Sequence, residues 1–293
     1  MEFTIKTKNE VKVSVENERV IDGITYFDVI MKSDSPIVPE KFSVTWKIPN
    51  HNIFSVWKPK SSDNVRMVRP NWSKQWQASR LASWMPLQQI ISRDGRNKLC
   101  IAVSDVDTPI EIGTGIREED ATIECDVSFF TMPTSPCKHY SAVLRLDTRE
   151  LPFYESIQDV NEWWETECGY KSAYVPDSAR QPMDSLWYSF HQNLRKDEIL
   201  EECRLSKELG MDTVIIDDGW QINIDPAVGG RGDWAIDKNK FPNGLKPVFD
   251  YIKKLGMKPG LWISLATADT TSQPFKNHPE WFIKDSNGNI TDL

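Results

Sequence analysis

Long apolar runs, excess positive charge and histidine are scarce in this sequence. No stretch approaches the ~20 apolar residues that a membrane-spanning helix requires, so a helical membrane protein is excluded. The first ten residues, Met1 to Glu10, are too polar for the apolar core of a secretory signal. The 293 residues carry 35 basic and 43 acidic side chains, a net charge of −8. That balance argues against a nucleic-acid binder or a binder of anionic membranes, both of which need a positive face. There are four histidines. None forms a His-x-His or His-x3-His pair, so a metal site built on His191 and nearby acids lacks ligand spacing. The five cysteines, Cys100, Cys125, Cys137, Cys168 and Cys203, are odd in number and widely spaced. They give neither a zinc motif nor a disulfide framework, and a reduced, cytoplasmic setting is expected. No cofactor is expected. Tryptophan, by contrast, is abundant at 12 residues, and such rings belong in cores or on flat ligand sites.

Through about residue 150 the pattern is that of β-structure. Val11 to Val15, Thr25 to Met31, Phe42 to Ile48, Ala121 to Phe130 and Tyr140 to Leu146 are β-branched or aromatic near period two. Leu87 to Ser92 and Lys98 to Val103 form the clearest hairpin, with Asp94-Gly95 supplying positive φ at the turn. Many short strands predict a β-sandwich over 1–150. Trp57, Trp72, Trp76 and Trp84 sit in a polar, basic stretch. They read either as an aromatic loop reaching a sugar or as a small core under a long loop, and burial is the commoner use of such rings.

Residues 151–182 read as a linker, with an amphipathic helix over Glu155 to Glu165 and a proline-bounded stretch over Tyr174 to Pro182. From Met183 the period changes. Leu186 to Phe190 reads as a short apolar strand, and Asp197 to Leu209 as a helix with acids first and Gly210 as its stop. Thr213 to Asp217 is an apolar strand of the parallel type. Leu245 to Leu255 is a second helix, with Pro247 in its first turn and Gly256 past its end, and Lys258 to Ser264 is a third strand. The β-α-β-α-β order predicts the first part, about three βα units, of a (β/α)8 barrel over 183–293. A complete barrel takes ~250 residues, so the chain is expected to be the N-terminal portion of a longer enzyme.

Barrel enzymes build their sites where strands run into helices. The connection from Asp218 to Gly244 is long, and long loops in compact domains are usually functional. That face carries Asp217-Asp218-Gly219-Trp220, then Asp233-Trp234, then Trp262. Asp-Asp-Gly alone reads as a strand-ending turn. Joined by two Trp-containing motifs on the same face it reads as a sugar site, because carboxylates accept from neighbouring hydroxyls while indole faces pack on pyranose C–H groups. Asp217 and Asp218 read as better binders than catalysts. Neighbours along a strand point apart, whereas a retaining glycosidase needs carboxyl groups ~5–5.5 Å apart across one bond.

The ordered set Trp187-Tyr-Ser-Phe-His-Gln192, Val214-Ile-Ile-Asp-Asp-Gly-Trp-Gln221, Gly232-Asp-Trp234, Lys240-Phe-Pro-Asn-Gly244 and Gly256-Met-Lys-Pro-Gly-Leu-Trp262 resembles the melibiase-type α-galactosidases, glycoside hydrolase family 36. The resemblance covers roughly residues 174–293. It implies a retaining hydrolase of terminal α-linked galactose, with Asp217 and Asp218 on the sugar's 4- and 6-hydroxyls. Trp187 and Trp262 would line the same pocket, and the Asp233-Trp234 loop would border it. It also implies a nucleophile and an acid/base on a fourth and a sixth barrel strand, beyond Leu293, so no catalytic carboxylate is expected in this chain. Its partner would be a galactose-containing oligosaccharide, and a full-length enzyme could be a homo-oligomer. Where many members carry Glu-Pro-Glu after the third strand, this chain has Ile263-Ser-Leu-Ala266. The IDDGWQ form is similar to raffinose synthases too, which leaves an α-galactosyltransferase open. A non-catalytic sugar-binding or scaffold fragment is the remaining alternative.

Overall fold

The computed structural model describes residues 1–7, 11–60, 64–80, 84–222, 231–285 and 287–290. They fall into two units, Met1–Ser172 and Ala173–Leu293.

Among the described residues the first unit holds twelve strands: β1 (Thr4–Lys6), β2 (Lys12–Ile21), β3 (Ile24–Ile37), β4 (Phe42–Pro49), β5 (Ser55–Trp57), β6 (Val65–Met67), β7 (Gln75–Ser79), β8 (Leu87–Ile91), β9 (Asn97–Val103), β10 (Ile110–Arg117), β11 (Thr122–Phe129) and β12 (Cys137–Asp147). They form a sheet in the order β1-β4-β11-β10-β7 and a larger one in the order β2-β3-β12-β9-β8-β5-β6. Pairing within both sheets is antiparallel. One core joins them. Phe27, Val29 and Met31 of β3 and Leu144 of β12 cluster with Val44 and Trp46 of β4 and Val127 of β11. Alternation along β3 sends every second side chain inward, as strand geometry demands.

The tight turns follow their residues. Asp22 and Gly23 both take positive φ, 50° and 79°, so a two-residue loop of type I′ joins β2 to β3. Between β8 and β9 only Gly95 is left-handed, at φ 77°, and the register slips at Ile90/Ile91. That hairpin closes through a bulge, which keeps its flanking strands aligned.

Successive residues of β9 serve both faces of the larger sheet. Leu99, Ile101 and Val103 enter the first core, whereas Cys100 and Ala102 pack with Val160, Trp163 and Trp164 of helix α1 (Phe153–Thr166). Trp164 donates its indole N–H to the Val103 carbonyl at 2.9 Å. Burial pushes the Cys100 thiol up to about 12, leaving it inert.

The Trp-rich stretch is not a small core. Trp57 is half-buried beside Leu87, but Trp72, Trp76 and Trp84 are 76%, 43% and 44% exposed. Ammonium groups cover two of these rings, Lys41 at 5.8 Å from the Trp76 centroid and Lys60 at 5.4 Å from that of Trp84. A cation over an indole face offsets part of the cost of exposing it.

The second unit carries β13 (Met183–Ser185), α2 (Trp187–Phe190), α3 (Lys196–Glu208), β14 (Thr213–Ile216), α4 (Lys246–Lys254), β15 (Lys258–Leu261) and α5 (Gln273–Asn277). β13, β14 and β15 make a parallel sheet in that order. The segment Leu186 to Phe190, expected as a strand, instead follows the end of β13 and forms a single helical turn. Ile199 and Cys203 of α3, Val214 and Ile216 of β14, and Val248 and Ile252 of α4 form the core. The helix ends match their signals: Asp197 and Glu198 open α3, Lys253 and Lys254 close α4, and Gly210 and Gly256 take φ of 84° and 75° just past the two helices. Among the described residues no helix is long and apolar enough to cross a membrane.

Candidate functional site: a carboxylate and indole pocket

The register of the parallel sheet decides which residues meet. Ser185 pairs with Ile215, and Ile216 with Leu261, so the three strands end level. The chain leaves those ends as Leu186-Trp187, Asp217-Asp218 and Trp262. Ser185, Trp187, Tyr188, Asp217, Asp218 and Trp262 line a pocket of about 270 Å³. A cleft of about 950 Å³ in the first unit is larger. Chemistry, not size, singles out the smaller one, because it joins two adjacent carboxylates to two indoles.

Both carboxylates are held by donors on each oxygen. Asp217 accepts from Ser185 Oγ at 2.8 Å and from the Asp218 backbone N–H at 2.8 Å. Asp218 accepts from Gln192 Nε2 at 2.7 Å and from Gln221 Nε2 at 2.5 Å. A carboxylate offers about four acceptor sites, so these bonds fix each group in place and still leave acceptor capacity. Gln221 is itself buried and accepts from the Gly219 N–H at 3.1 Å.

The turn beneath is tightly built. Gly219 has φ 106°, and a Cβ there would lie 2.5 Å from Gln192 Cα. The Lys240 ammonium donates to the carbonyls of Gln192, at 2.8 Å, and Gly219, at 2.7 Å. Trp262 is fixed by main-chain bonds, its N–H donating to Ile216 O and its carbonyl accepting from Trp220 Nε1, both at 2.9 Å.

The residues named from the sequence divide into two groups. Asp217, Asp218, Trp187 and Trp262 share the pocket. Trp220 belongs to the core, 3% exposed, and its ring stacks on Trp234 with centroids 6.0 Å apart. Trp234 meets Trp262 edge-on at 5.8 Å, so Trp220 and Trp234 back the pocket wall and do not line it. Asp233 is exposed and accepts from the Gln273 N–H at 2.8 Å. Residues 223–230 of the long connecting loop lie outside the described residues. Ser185, Tyr188, Gln192, Gln221 and Lys240 were not singled out from the sequence, although all but Ser185 stand within the quoted motifs. His191 is exposed at φ 50°, with its ring 4.9 Å from that of Trp187. Among the described residues no group of three or more His, Cys, Asp or Glu side chains could hold a metal ion.

Residues 177–292 match the Melibiase family. The chain is 33% identical over 109 residues to an α-galactosidase of Escherichia coli, covering 37% of this chain and 15% of that protein. It is 29% identical over 107 residues to α-galactosidase AgaA of Geobacillus stearothermophilus, covering 36% of this chain and 15% of the relative. The matched part thus spans about 15% of the length of these relatives. Among solved structures, GH36 α-galactosidase AgaB of Geobacillus stearothermophilus has a TM-score of 0.60 at 14% identity, covering 92% of this chain and 40% of that one. TtGalA, the α-galactosidase of Thermus thermophilus solved with stachyose, has a TM-score of 0.59 at 17% identity, covering 95% and 55%. At these identities the structural likeness shows shared fold alone.

Proposed function

We propose that the chain is the N-terminal part of a retaining α-galactosidase, and that the pocket at the strand ends recognises a terminal α-linked galactose. In this reading the first unit is a β-sandwich and the second begins a (β/α)8 barrel. The observation that carries the proposal is the pair Asp217 and Asp218, each anchored by two donors and set beside Trp187 and Trp262. Anchored carboxylates present acceptors to neighbouring sugar hydroxyls, and the indoles offer apolar faces to the ring. At about 270 Å³ the pocket lies just under the ~300 Å³ lower end of ligand pockets, a size suited to one pyranose unit. Relatives solved with raffinose and stachyose bound fit this substrate class. Five unpaired cysteines fit a cytoplasmic enzyme.

Among the described residues no other carboxylate lines the pocket. The bond-breaking pair of a retaining enzyme must flank the scissile bond, ~5–5.5 Å apart. The 293-residue protein is therefore expected to leave an aryl α-galactoside uncleaved, while the full-length gene product hydrolyses it. Turnover by the pure 293-residue protein, abolished by Asp217→Asn, would contradict the assignment of these aspartates as binders. Transfer of galactose to a sugar acceptor in preference to water, by the full-length product, would replace the hydrolase with a galactosyltransferase.

A further inference from the structure

We infer that Gln192, held in place by Lys240, is a positioning residue that sets the aim of the Asp218 carboxylate. The inference rests on the galactose reading of the pocket. Asp218 follows the end of β14, where the strand's own hydrogen bonds no longer constrain it. One of its oxygens, Oδ2, receives the Gln192 amide at 2.7 Å, from the turn that follows α2. Gln192 therefore ties this side chain to the segment that follows α2, while Gln221 holds its other oxygen from within the same turn. The Gln192 amide is neutral, so it orients the carboxylate without cancelling the charge that a sugar hydroxyl would meet.

Gln192 is itself fixed from two directions. Its backbone lies against Gly219, so close that a Cβ on Gly219 would sit 2.5 Å from Gln192 Cα and 2.7 Å from its carbonyl oxygen. Lys240, arriving from the long connecting loop, bridges the carbonyls of Gln192 and Gly219. An ammonium has three donors in a compact head, which suits it to tying two carbonyls together. Lys240 does not line the pocket, so any effect on sugar recognition must pass through the two residues it ties.

The test is kcat/KM for aryl α-galactoside in the full-length gene product, with folding followed by Tm. Gln192→Leu removes the donor at similar size. Loss of one hydrogen bond to a charged group is expected to lower galactoside kcat/KM by roughly ten- to a hundred-fold. A double-mutant cycle separates positioning from general stability: in an Asp218→Ala background, Gln192→Leu should cost almost nothing further. Lys240→Met is expected to show the same non-additivity, with Lys240→Arg recovering part of the loss. If Gln192→Leu keeps wild-type kcat/KM while Asp218→Ala loses it, the positioning role is overturned and the galactose reading stands. Fully additive losses also overturn it, since Gln192 would then act independently of Asp218. If Asp218→Ala itself changes nothing, the galactose reading fails and the inference with it.

Discussion

Asp218→Asn, made in the full-length gene product, should lower kcat/KM for an aryl α-galactoside by roughly ten- to a few hundred-fold and leave that for an aryl α-glucoside nearly unchanged. The two sugars differ at the 4-hydroxyl, axial in galactose and equatorial in glucose. A carboxylate aimed at the axial position bonds to one sugar and is left partly unpaired by the other. A hydrogen bond to a charged acceptor contributes ~1.5–3 kcal/mol, and the unpaired partner adds a desolvation penalty. Asparagine removes the charge and keeps the anchors: its Oδ1 can still accept from Gln221 Nε2, and its Nδ2 can donate to Gln192 once that amide flips to present Oε1. Asp217→Asn is accommodated in the same way, because the Ser185 hydroxyl that donates to Asp217 can turn and accept instead. It should cost selectivity with little change in Tm. If both substrates fall in parallel in well-folded variants, the aspartates only end the strand.

Gly219→Ala should be the most damaging single-methyl change in the second unit. Two penalties meet at this position. Its φ of 106° is a conformation that L-residues avoid, which costs on the order of 1–3 kcal/mol. The added Cβ would lie 2.5 Å from Gln192 Cα, a backbone atom that cannot swing aside, and overpacking of this kind costs a further ~1–3 kcal/mol. Gly210 supplies the control. It has φ 84°, but a methyl there would meet nothing within 4 Å, so Gly210→Ala bears the conformational penalty alone. Thermal melts of both variants should therefore separate clearly, with Gly219→Ala melting several degrees lower or failing to fold. Equal Tm values would show that the contact with Gln192 is loose and does not brace the Asp218 turn.

The sequence carried the site's chemistry better than its geometry. Asp217 and Asp218 stood out as candidates because a strand-ending Asp-Asp-Gly, by itself an ordinary turn, is joined on the same face by two Trp-containing motifs, and the pocket does bring both together with Trp187 and Trp262. The caps of α3 and α4 were legible because each signal is local: acids first, lysines last, glycine at positive φ. Leu186 to Phe190 was misread because four helical residues complete barely one turn, too few to display a 3.6 period. Trp220 was misplaced for another reason. Sequence puts it next to the aspartates but cannot show that its ring turns inward and spends its N–H on Trp262. Trp76 and Trp84 are exposed beneath Lys41 and Lys60, which lie far away along the chain, and no local pattern encodes those pairings.

The most direct measurement is a titration of the 293-residue protein with D-galactose and with D-glucose, following the indole N–H resonances of Trp187 and Trp262 by NMR. The account predicts saturable shifts of these two signals at lower galactose than glucose concentrations, and their loss in Asp218→Asn. Equal responses to the two sugars, or a galactose response that leaves both indoles unmoved, would contradict it.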